Sequence, residues 1–407
     1  MSGDYMSKGK KNKKKERSQN KVLKALGWYD KCDYYDYSLV AVIILLTCFG
    51  LVMLYSTSAY MAKINHQNDD MFFFRKQGLI SLGCFVVLMC ISRIDYHILW
   101  DFAGALYALG LILMFLVITP LGVESHGARR WLAIGPIQFQ PAEVAKIAVI
   151  ICLSYMIVEM GKRVKTLKAC MVLAVIGGLQ ALGAYVFTDN LSTAIIIFGI
   201  TIGMIFIAHP NFKYFFIMAG VGIAAIVIVV LILYAVLDPE TVTDFRLRRI
   251  LVWLRPEEYA EGDGYQTIQA LYAIGSGGFL GRGLGNSIQK LGSIPEAQND
   301  MIFSIICEEL GVLGAIIVLL MFAYLLYRLF FIAQNASDLF GSMIVSGIFV
   351  HIALQVILNI SVVLNIIPNT GVTLPFISYG GTSILFLMSE MGLALSVSRR
   401  IKFQDIE

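Results

Sequence analysis

Long apolar segments recur along almost the whole chain, and they limit the possible folds more than any other feature. Several run near or past the roughly 18 apolar residues that indicate a transmembrane helix. Only 15% of the 407 residues are charged, against about 25% in soluble proteins. We therefore expect an all-α polytopic membrane protein with about ten transmembrane helices. The predicted spans are 38–57, 77–93, 98–120, 142–160, 166–186, 190–208, 213–236, 301–328, 339–366 and 379–398.

The distribution of Lys and Arg predicts the orientation of these helices. With ten spans, both termini lie on one side of the membrane. Lys and Arg are more frequent in the segments on that side, which predicts that it faces the cytoplasm. We expect a basic, disordered cytoplasmic tail at 1–37, a membrane domain at 38–400 and a cytoplasmic C-terminal tail at 401–407. The largest outer loop is then 237–300, between spans seven and eight. The basic tail is expected to lie near anionic lipid. Nucleic-acid binding is disfavoured because no aromatic residue is interleaved with its lysines.

The cysteines and histidines indicate neither a disulfide framework nor a structural metal. The seven cysteines form no CxxC pair, and most lie inside apolar segments, where cysteine acts as a small buried hydrophobe. The five histidines are scattered along the chain. If the protein is an enzyme, its chemistry is expected at the outer membrane face or within the bundle, because the inner loops are short.

Two charged motifs lie in the loop before span four and in that span. Arg129 and Arg130 precede Trp131, and paired guanidinium groups beside a membrane suit a phosphate. Anchoring to lipid headgroups is the alternative. Glu143 and Lys146 follow at a spacing of three residues, on one face of the helix. This pair favours either a wet cavity or a structural ion pair that locks helices together.

The long outer loop combines basic residues with a glycine-rich segment. Arg246 and Arg249 lie three residues apart, and six glycines occur in Gly275–Gly285. Such a segment can bring backbone N–H groups close to an anion. Together with Arg282 and Lys290, it predicts an anionic ligand at the outer face. The stretch YQTIQALYAIG in the same loop indicates a further helix.

Carboxylates interrupt the apolar start of span eight, in the stretch PEAQNDMIFSIICEELG. Asp300 precedes the span, and Glu308 and Glu309 lie inside it. Helical spacing places Asp300 and Glu308 about 80° apart, so we expect them to line one cavity. Helix capping is the alternative for Asp300, and helix packing is the alternative for the two glutamates.

Two polar segments lie at the outer ends of other spans. NTGVTLPFISYGGTS, residues 369–383, is rich in turn residues and predicts a cavity wall; an ordinary connecting loop is the alternative. In TDNLSTA, Asp189 and Asn190 are suited to cap the helix that follows.

Together these stretches resemble the SEDS family of bacterial cell-wall proteins (shape, elongation, division and sporulation), which includes FtsW, RodA and SpoVE. The matching motifs are GARRWLAIGPIQFQPAEVAK, GYQTIQALYAIGSGGFLGRGLG, QKLGSIPEAQNDMIFSIICEELG and TLPFISYGGTS. The last is more similar to the division and sporulation branch. The resemblance implies a glycosyltransferase that polymerises lipid II, an undecaprenyl-pyrophosphate-linked disaccharide pentapeptide. It implies a class B penicillin-binding protein, other divisome proteins and membrane lipid as partners, and a place in the bacterial cytoplasmic membrane.

The resemblance also implies roles for particular residues. Asp300 aligns with the essential aspartate of the family and is the predicted general base. Arginines are predicted to stabilise the pyrophosphate leaving group. A divalent cation, Mg²⁺ or Mn²⁺, can assist them, and no other cofactor is predicted. The predicted substrate-binding residues are Arg129, Arg130, Arg246, Arg249, Lys146, Glu143, Gln289, Lys290, Glu296, Ser378, Tyr379 and Gly380.

The chain departs from the family pattern at several positions. Asn190, in DNLST, stands where the family commonly has aspartate, and Asp189 lies one position earlier. QND replaces the commoner ending HTD before span eight, and Met301 replaces phenylalanine. These departures put in doubt any role of the missing aspartate, whereas the predicted base itself is kept.

Two alternative functions stay open at this point. A lipid II flippase would need a polar path through the bilayer, and the ionisable residues inside spans four and eight would form it. A non-catalytic scaffold for a penicillin-binding protein would need only the lipid-facing helices. The polar outer loops favour the enzyme, because a scaffold does not require them.

Overall fold

The computed structural model describes residues 34–65, 69–125, 128–135, 137–211, 213–236, 245–262, 264–292, 294–295 and 297–402. Almost all of the predicted basic tail therefore lies outside the described residues, as does Glu296. Arg246 lies in a described helix, but its side chain is outside the described part of the chain. Our expectations for these positions stay predictions.

The described chain is mainly helical. The helices are α1 (Tyr37–Asn65), α2 (Phe72–Ile91), α3 (Ile98–Leu116), α4 (Pro141–Met160), α5 (Leu167–Thr188), α6 (Leu191–Ala208), α7 (Lys213–Val236), α8 (Phe245–Leu254), α9 (Tyr265–Gly277), α10 (Ile302–Asn335), α11 (Leu339–Val363) and α12 (Ser383–Ser398). The helix α9 is the one predicted from YQTIQALYAIG. A short 3₁₀ helix (Gly161–Lys165) follows α4, and a second (Pro256–Tyr259) follows α8. Residues 278–292, called the glycine-rich segment below, follow α9.

Among the described residues, nine helices are long and apolar enough to cross a membrane, namely α1 to α7, α10 and α11. The apolar helix α12 is shorter, with 16 residues. Large apolar side chains on outward faces are exposed, including Leu79 at 73% and Leu320 at 62%, as expected for contact with lipid tails. The predicted polytopic helical fold is confirmed, whereas the number of ten spans stays a prediction.

Local sequence explains where several helices begin. Pro141 opens α4, where its fixed φ and missing N–H are tolerated. Asn190 caps α6, as predicted, because its side chain accepts a 3.0 Å hydrogen bond from the Thr193 N–H. Asp338 caps α11 through the Gly341 N–H at 2.9 Å. Each cap satisfies a donor that the first helical turn leaves without a partner.

A small antiparallel sheet, which the sequence did not lead us to predict, lies between α3 and α4. Its strands are β1 (Gly122–Ser125), β2 (Ala128–Ile134) and β3 (Ile137–Phe139), in the order β1-β2-β3. Leu132 at the centre of β2 is buried and pairs with residues of both neighbouring strands. Arg130, two residues earlier on β2, lies at a bulge between the pairs that Arg129 and Trp131 form with β1.

The membrane helix α10 is broken at Gly311, where φ is 67° and ψ is −164°. The glycine-rich segment packs against the break, and the Val312 N–H donates a 3.1 Å hydrogen bond to the Gly278 carbonyl. A Cβ at Gly281 would lie 2.2 Å from the carbonyl oxygen of Glu309, so this contact requires glycine. Irregular backbone at this position is tolerated because another part of the protein covers it.

Two buried glutamates of α10 form ion pairs with the glycine-rich segment. Glu309 accepts hydrogen bonds of 2.7 Å from Lys290 Nζ and from Ser56 Oγ on α1. Glu308 lies 3.4 Å from Arg282 Nη1. Both glutamates are fully buried, and each has a basic partner on the segment. Helix packing, one of the two expectations for these residues, is thus what their contacts support.

The two described ends of the chain lie at the same end of the bundle. Asp36, just before α1, forms a 2.7 Å ion pair with Arg328 near the end of α10. Arg400, just after α12, forms an ion pair with Asp95 in the connection between α2 and α3. The helices α4, α6 and α12 begin at the opposite end, where the cavity described below opens.

Candidate active site

A cavity of about 430 Å³ opens where α4, α6 and α12 begin. The predicted site residues that line it are Arg130, Glu143, Lys146, Arg249, Asp300, Ser378, Tyr379 and Gly380. Neutral polar side chains cover much of the remaining wall. They are Gln140, Asn190, Ser192, Thr193, Gln266, Asn299, Gln355 and Asn369. The fold therefore brings together residues that are more than 200 positions apart in the sequence.

Asp300 lies in the turn immediately before α10 and is half-buried. Its carbonyl oxygen accepts a 2.8 Å hydrogen bond from the side-chain amide of Asn359 on α11. The same amide donates to the Val372 carbonyl at 2.7 Å. The Tyr379 N–H donates to the Gln298 carbonyl at 2.9 Å. These bonds hold the turn that carries the predicted base against two other elements of the cavity wall.

Glu143 and Lys146 form a 2.9 Å ion pair in the first two turns of α4. Their side chains are only 10% and 3% exposed, and both residues line the cavity. The pair lies within one helix and so does not join two helices to each other. Pairing allows the ammonium group to be held at the cavity wall without leaving a buried charge uncompensated.

Two arginines reach the cavity from different elements. Arg130 on β2 donates a 3.1 Å hydrogen bond from Nη2 to the Asp189 carbonyl. Arg249 on α8 donates from Nη1 to the Asn369 carbonyl at 3.4 Å. Arg129 is exposed on the sheet and is not among the lining residues. The two adjacent arginines are thus separated at a bulge of β2: Arg129 pairs with Glu124, and Arg130 is the extra residue before the next pair.

The predicted wall formed by residues 369–383, which we name the SYGG segment, lines one side of the cavity. Its backbone turns at Phe376, where φ is 63°. Gly50 on α1 allows close approach, since a Cβ there would lie 2.6 Å from the Phe376 carbonyl oxygen. The Ser378 hydroxyl oxygen accepts a 2.9 Å hydrogen bond from the Leu374 N–H. The segment is therefore a shaped wall with internal hydrogen bonds.

Lys290 and Glu308 lie away from the cavity. The expectation that Asp300 and Glu308 share a cavity is wrong, because the glycine-rich segment covers Glu308. The charge of Lys290 is compensated inside the protein by its ion pair with Glu309. Gln289, on the same segment, is likewise absent from the cavity lining.

Sequence reasoning missed the amide side chains of α11. Gln355 and Asn359 are buried, and both donate hydrogen bonds to the SYGG segment. The sequence does contain a pattern that indicates them: two amide residues four positions apart in an apolar span lie on one helix face. An amide side chain inside a membrane helix normally forms a hydrogen bond with a polar group of another part of the protein.

Comparison with known proteins decides the family. Residues 36–402 match the FtsW/RodA/SpoVE family, described as cell cycle proteins. The chain belongs to this family. It is 37% identical over 370 residues to stage V sporulation protein E of Bacillus subtilis (strain 168), covering 90% of this chain and 98% of the relative. It is 36% identical over 374 residues to the probable peptidoglycan glycosyltransferase FtsW of Trichlorobacter lovleyi, covering 91% and 95%.

Solved structures of FtsW/RodA/SpoVE-type proteins share the fold. The rod shape determining protein RodA of Thermus thermophilus superposes with a TM-score of 0.62 at 26% identity, covering 91% of this chain and 98% of RodA. A chain from a peptidoglycan synthase complex that coordinates polymerization and crosslinking gives a TM-score of 0.71 at 26% identity, covering 90% and 98%. The family resemblance seen in the sequence is confirmed.

Proposed function

We propose that this protein is a peptidoglycan glycosyltransferase that polymerises lipid II in cell division. One observation carries the proposal: Asp300 and the cationic residues Arg130, Lys146 and Arg249 line a single cavity at one end of a membrane bundle. Transfer from a lipid-linked pyrophosphate needs a carboxylate base and cations near the leaving group. Relatives in Trichlorobacter lovleyi and Geobacter sp. (strain M18) are named probable peptidoglycan glycosyltransferases.

Asp300 is proposed as the general base. Its carboxylate accepts the proton of a sugar hydroxyl on the acceptor, and the hydroxyl oxygen forms a bond to the anomeric carbon of the donor. The bond between that carbon and the pyrophosphate oxygen breaks at the same time. An α-linked donor thereby gives a β-linked glycan, and undecaprenyl pyrophosphate departs with the bonding electrons. A positioned base typically contributes about 10²–10⁴-fold to such a step.

Arg130 and Arg249 are proposed to bind the departing pyrophosphate. Guanidinium groups form bidentate hydrogen bonds with phosphate oxygens, and these two reach the cavity from separate elements. Lys146 supplies a third positive charge, and its ion pair with Glu143 fixes the position of that charge. The positive groups act on charge that develops as the leaving group departs, which is where electrostatic stabilisation lowers the barrier.

Mg²⁺ or Mn²⁺ is proposed as an ion that assists the departure of the pyrophosphate. The described residues contain no group of three or more His, Cys, Asp and Glu side chains that could hold a metal. Mg²⁺ commonly binds through one or two carboxylates together with substrate phosphates. Asp300 and the substrate pyrophosphate would then provide the ligands, and the ion would neutralise charge on the leaving group.

We further propose that the cavity faces the outside of the bacterial cytoplasmic membrane and that both termini face the cytoplasm. The excess of Lys and Arg in the segments on the terminal side supports this orientation. A class B penicillin-binding protein is the proposed partner, with other divisome proteins. The similarity to a chain of a synthase complex that couples polymerization with crosslinking supports such a partner.

Flipping of lipid II is less well supported. The polar path considered for it includes Glu308 and Glu309, and both are fully buried against the glycine-rich segment. A headgroup could use these residues only if that segment left its contacts with α10. The enzyme requires no such rearrangement, because its proposed residues already line an open cavity.

Polymerisation of fluorescent lipid II tests the proposal. Purified full-length protein is assayed with a class B penicillin-binding protein, and glycan length is measured on gels. We expect wild type to make glycan and Asp300→Asn to lose about 10²-fold or more of the rate. Asp101→Asn is the control, because Asp101 is exposed in the first turn of α3. Glycan made at the normal rate by Asp300→Asn would rule out Asp300 as base. Headgroup translocation in liposomes without glycan would favour the flippase.

A further inference from the structure

A stripe of buried polar side chains runs along α11 from its middle to the cavity. His351, Gln355 and Asn359 are spaced four residues apart, and all three are at most 3% exposed. Residues at this spacing lie above one another on one helix face. Gln355 and Asn359 lie nearer the cavity and support its wall. Gln355 Nε2 donates to the Thr373 carbonyl at 3.1 Å, and Asn359 Nδ2 donates to the Val372 carbonyl at 2.7 Å. The third lies deeper and has no role in the mechanism above.

His351 forms a buried hydrogen bond with the carboxylate of Glu390 on α12. Its Nδ1 lies 3.0 and 2.9 Å from the two carboxylate oxygens, and both side chains are 1% exposed. His351 lies one turn below Gln355, about 6 Å along the axis. Glu390 lies three residues beyond Leu387, which also lines the cavity. The pair is therefore just beneath the cavity floor. Ionisable groups inside a membrane bundle are costly and usually functional.

Two buried atoms next to this pair have no hydrogen-bond partner within the described part of the chain. They are His351 Nε2 and Gln355 Oε1. Buried polar atoms are nearly always satisfied, by protein or by water. Gln355 Oε1 is an acceptor one turn away from His351 Nε2, which donates or accepts according to the tautomer of the ring. The two atoms form no hydrogen bond with each other, and one water can bond to both of them with either tautomer.

We propose that His351 and Glu390 are positioning residues that hold the cavity wall through a buried water bound between His351 Nε2 and Gln355 Oε1. Every link of this chain then has one donor and one acceptor. His351 Nδ1–H donates to Glu390, and Nε2 shares a hydrogen bond with the water. The water donates to Gln355 Oε1, and Gln355 Nε2 donates to the Thr373 carbonyl. The chain fixes the SYGG segment, and so the shape of the substrate site. The inference rests on the proposed function only for its kinetic readout.

Glu390 and Gln355 hold the two ends of the chain. Glu390→Leu removes the acceptor of His351 Nδ1–H. Gln355→Leu removes the other end. Each variant is expected to raise KM for lipid II about tenfold, the worth of one well-placed hydrogen bond, with a smaller change in kcat. The double variant is expected to be no worse than the poorer single variant, because both break the same chain.

Gln180→Leu is the matched control. Gln180 is equally buried, its Nε2 also donates to a backbone carbonyl at 3.1 Å, and its Oε1 likewise has no partner among the described residues. Gln180 lies on α5, faces α3 and does not line the cavity. The KM of Gln180→Leu is therefore expected to stay at the wild-type value. Multiplicative effects of Glu390→Leu and Gln355→Leu, or a KM unchanged by Glu390→Leu, would overturn the proposal.

Nitrogen-15 NMR of histidine-labelled protein in nanodiscs gives a readout that does not need activity. The His351 signals are assigned as those absent from His351→Gln. We expect Gln355→Leu to shift the Nε2 signal and to leave the Nδ1 signal in place, because only Nε2 is bonded to the water. An Nε2 signal unchanged by Gln355→Leu would refute the chain even if lipid II is polymerised. Conversely, a shifted Nε2 signal in a protein that makes no glycan would refute the proposed function and leave the chain standing.

Discussion

The side-chain amide of Asn359 donates a 2.8 Å hydrogen bond to the backbone carbonyl of Asp300. A residue on α11 therefore sets the position of a turn that belongs to another helix. The amide also holds the Val372 carbonyl at 2.7 Å, so one side chain joins the predicted base to the SYGG segment. The residues of this junction are separated by 59 and 13 positions in the sequence.

Asn359→Leu is expected to lower the polymerisation rate by about 10²-fold, because misplacement of a catalytic group by about 1 Å can cost that much. The measurement is the initial rate of glycan formation per folded protein. Asn335→Leu is the control, since the exposed Asn335 donates to the Phe331 carbonyl at the other end of α10. A normal rate in Asn359→Leu would show that the base needs no support from α11.

Lys290→Met is expected to lower stability rather than to act on catalysis. The ammonium group is 2.7 Å from the fully buried Glu309, and loss of one partner of a buried ion pair costs about 3–5 kcal/mol. The thermal unfolding midpoint in detergent measures this effect. Glu309→Leu combined with Lys290→Met should recover part of the loss, because no charge then stays buried alone. A substrate role for Lys290 would instead raise KM without lowering the midpoint.

Gly277→Ala is expected to destabilise the contact between α9 and α10 by about 1–3 kcal/mol, as overpacking does. A Cβ at Gly277 would lie 1.9 Å from the Cys307 carbonyl oxygen. The matched control is Gly275→Ala in the same helix, where nothing lies within 4 Å of the added Cβ. This second change should stabilise by up to about 1 kcal/mol. Equal unfolding midpoints for the two variants would contradict the close packing.

The stability of the wild type is expected to fall as pH rises through about 9. Hydrogen bonds to Asp338 and Asp95 raise the pKa of His97 to about 9, above the value of about 6.5 in an unfolded chain. This contribution is complete below about pH 6.5 and is lost as the folded-state group deprotonates. The difference in unfolding midpoint between wild type and His97→Gln should therefore narrow between pH 7 and pH 10, roughly. A constant difference would show that the pKa of His97 is not raised in the folded protein.

Much of the fold could be predicted because apolar spans and caps are local features. Pro141, Glu143 and Lys146 are close in sequence, so helical spacing alone placed the pair on one face of α4. Asp300 was found from its motif. The cavity as a whole, however, required Arg130, Arg249 and the SYGG segment to meet, and no periodic pattern reports such distant contacts. The sheet was missed because the two arginines interrupt the alternation of apolar residues in ARRWLAI.

The error over Glu308 has a specific cause. The angle between Asp300 and Glu308 was measured on an ideal helix, but α10 begins at Ile302, so Asp300 is not on that helix. Helical spacing also gives the direction of a side chain without saying what covers it. Here the cover is the glycine-rich segment, which lies earlier in the chain and returns to α10. The many glycines of this segment predict an anion site, whereas in the structure several of them permit close contact with the backbone of α10.

A break in a membrane helix normally provides a hinge, but the break at Gly311 is bridged by the glycine-rich segment. This segment forms hydrogen bonds on both sides of the break, with the carbonyls of Glu308 and Glu309 before it and with the N–H of Val312 after it. The first turns of α10 therefore cannot tilt unless the glycine-rich segment moves with them. The turn at Asp300 heads those opening turns, so a force that displaces the glycine-rich segment would be transmitted to the predicted base.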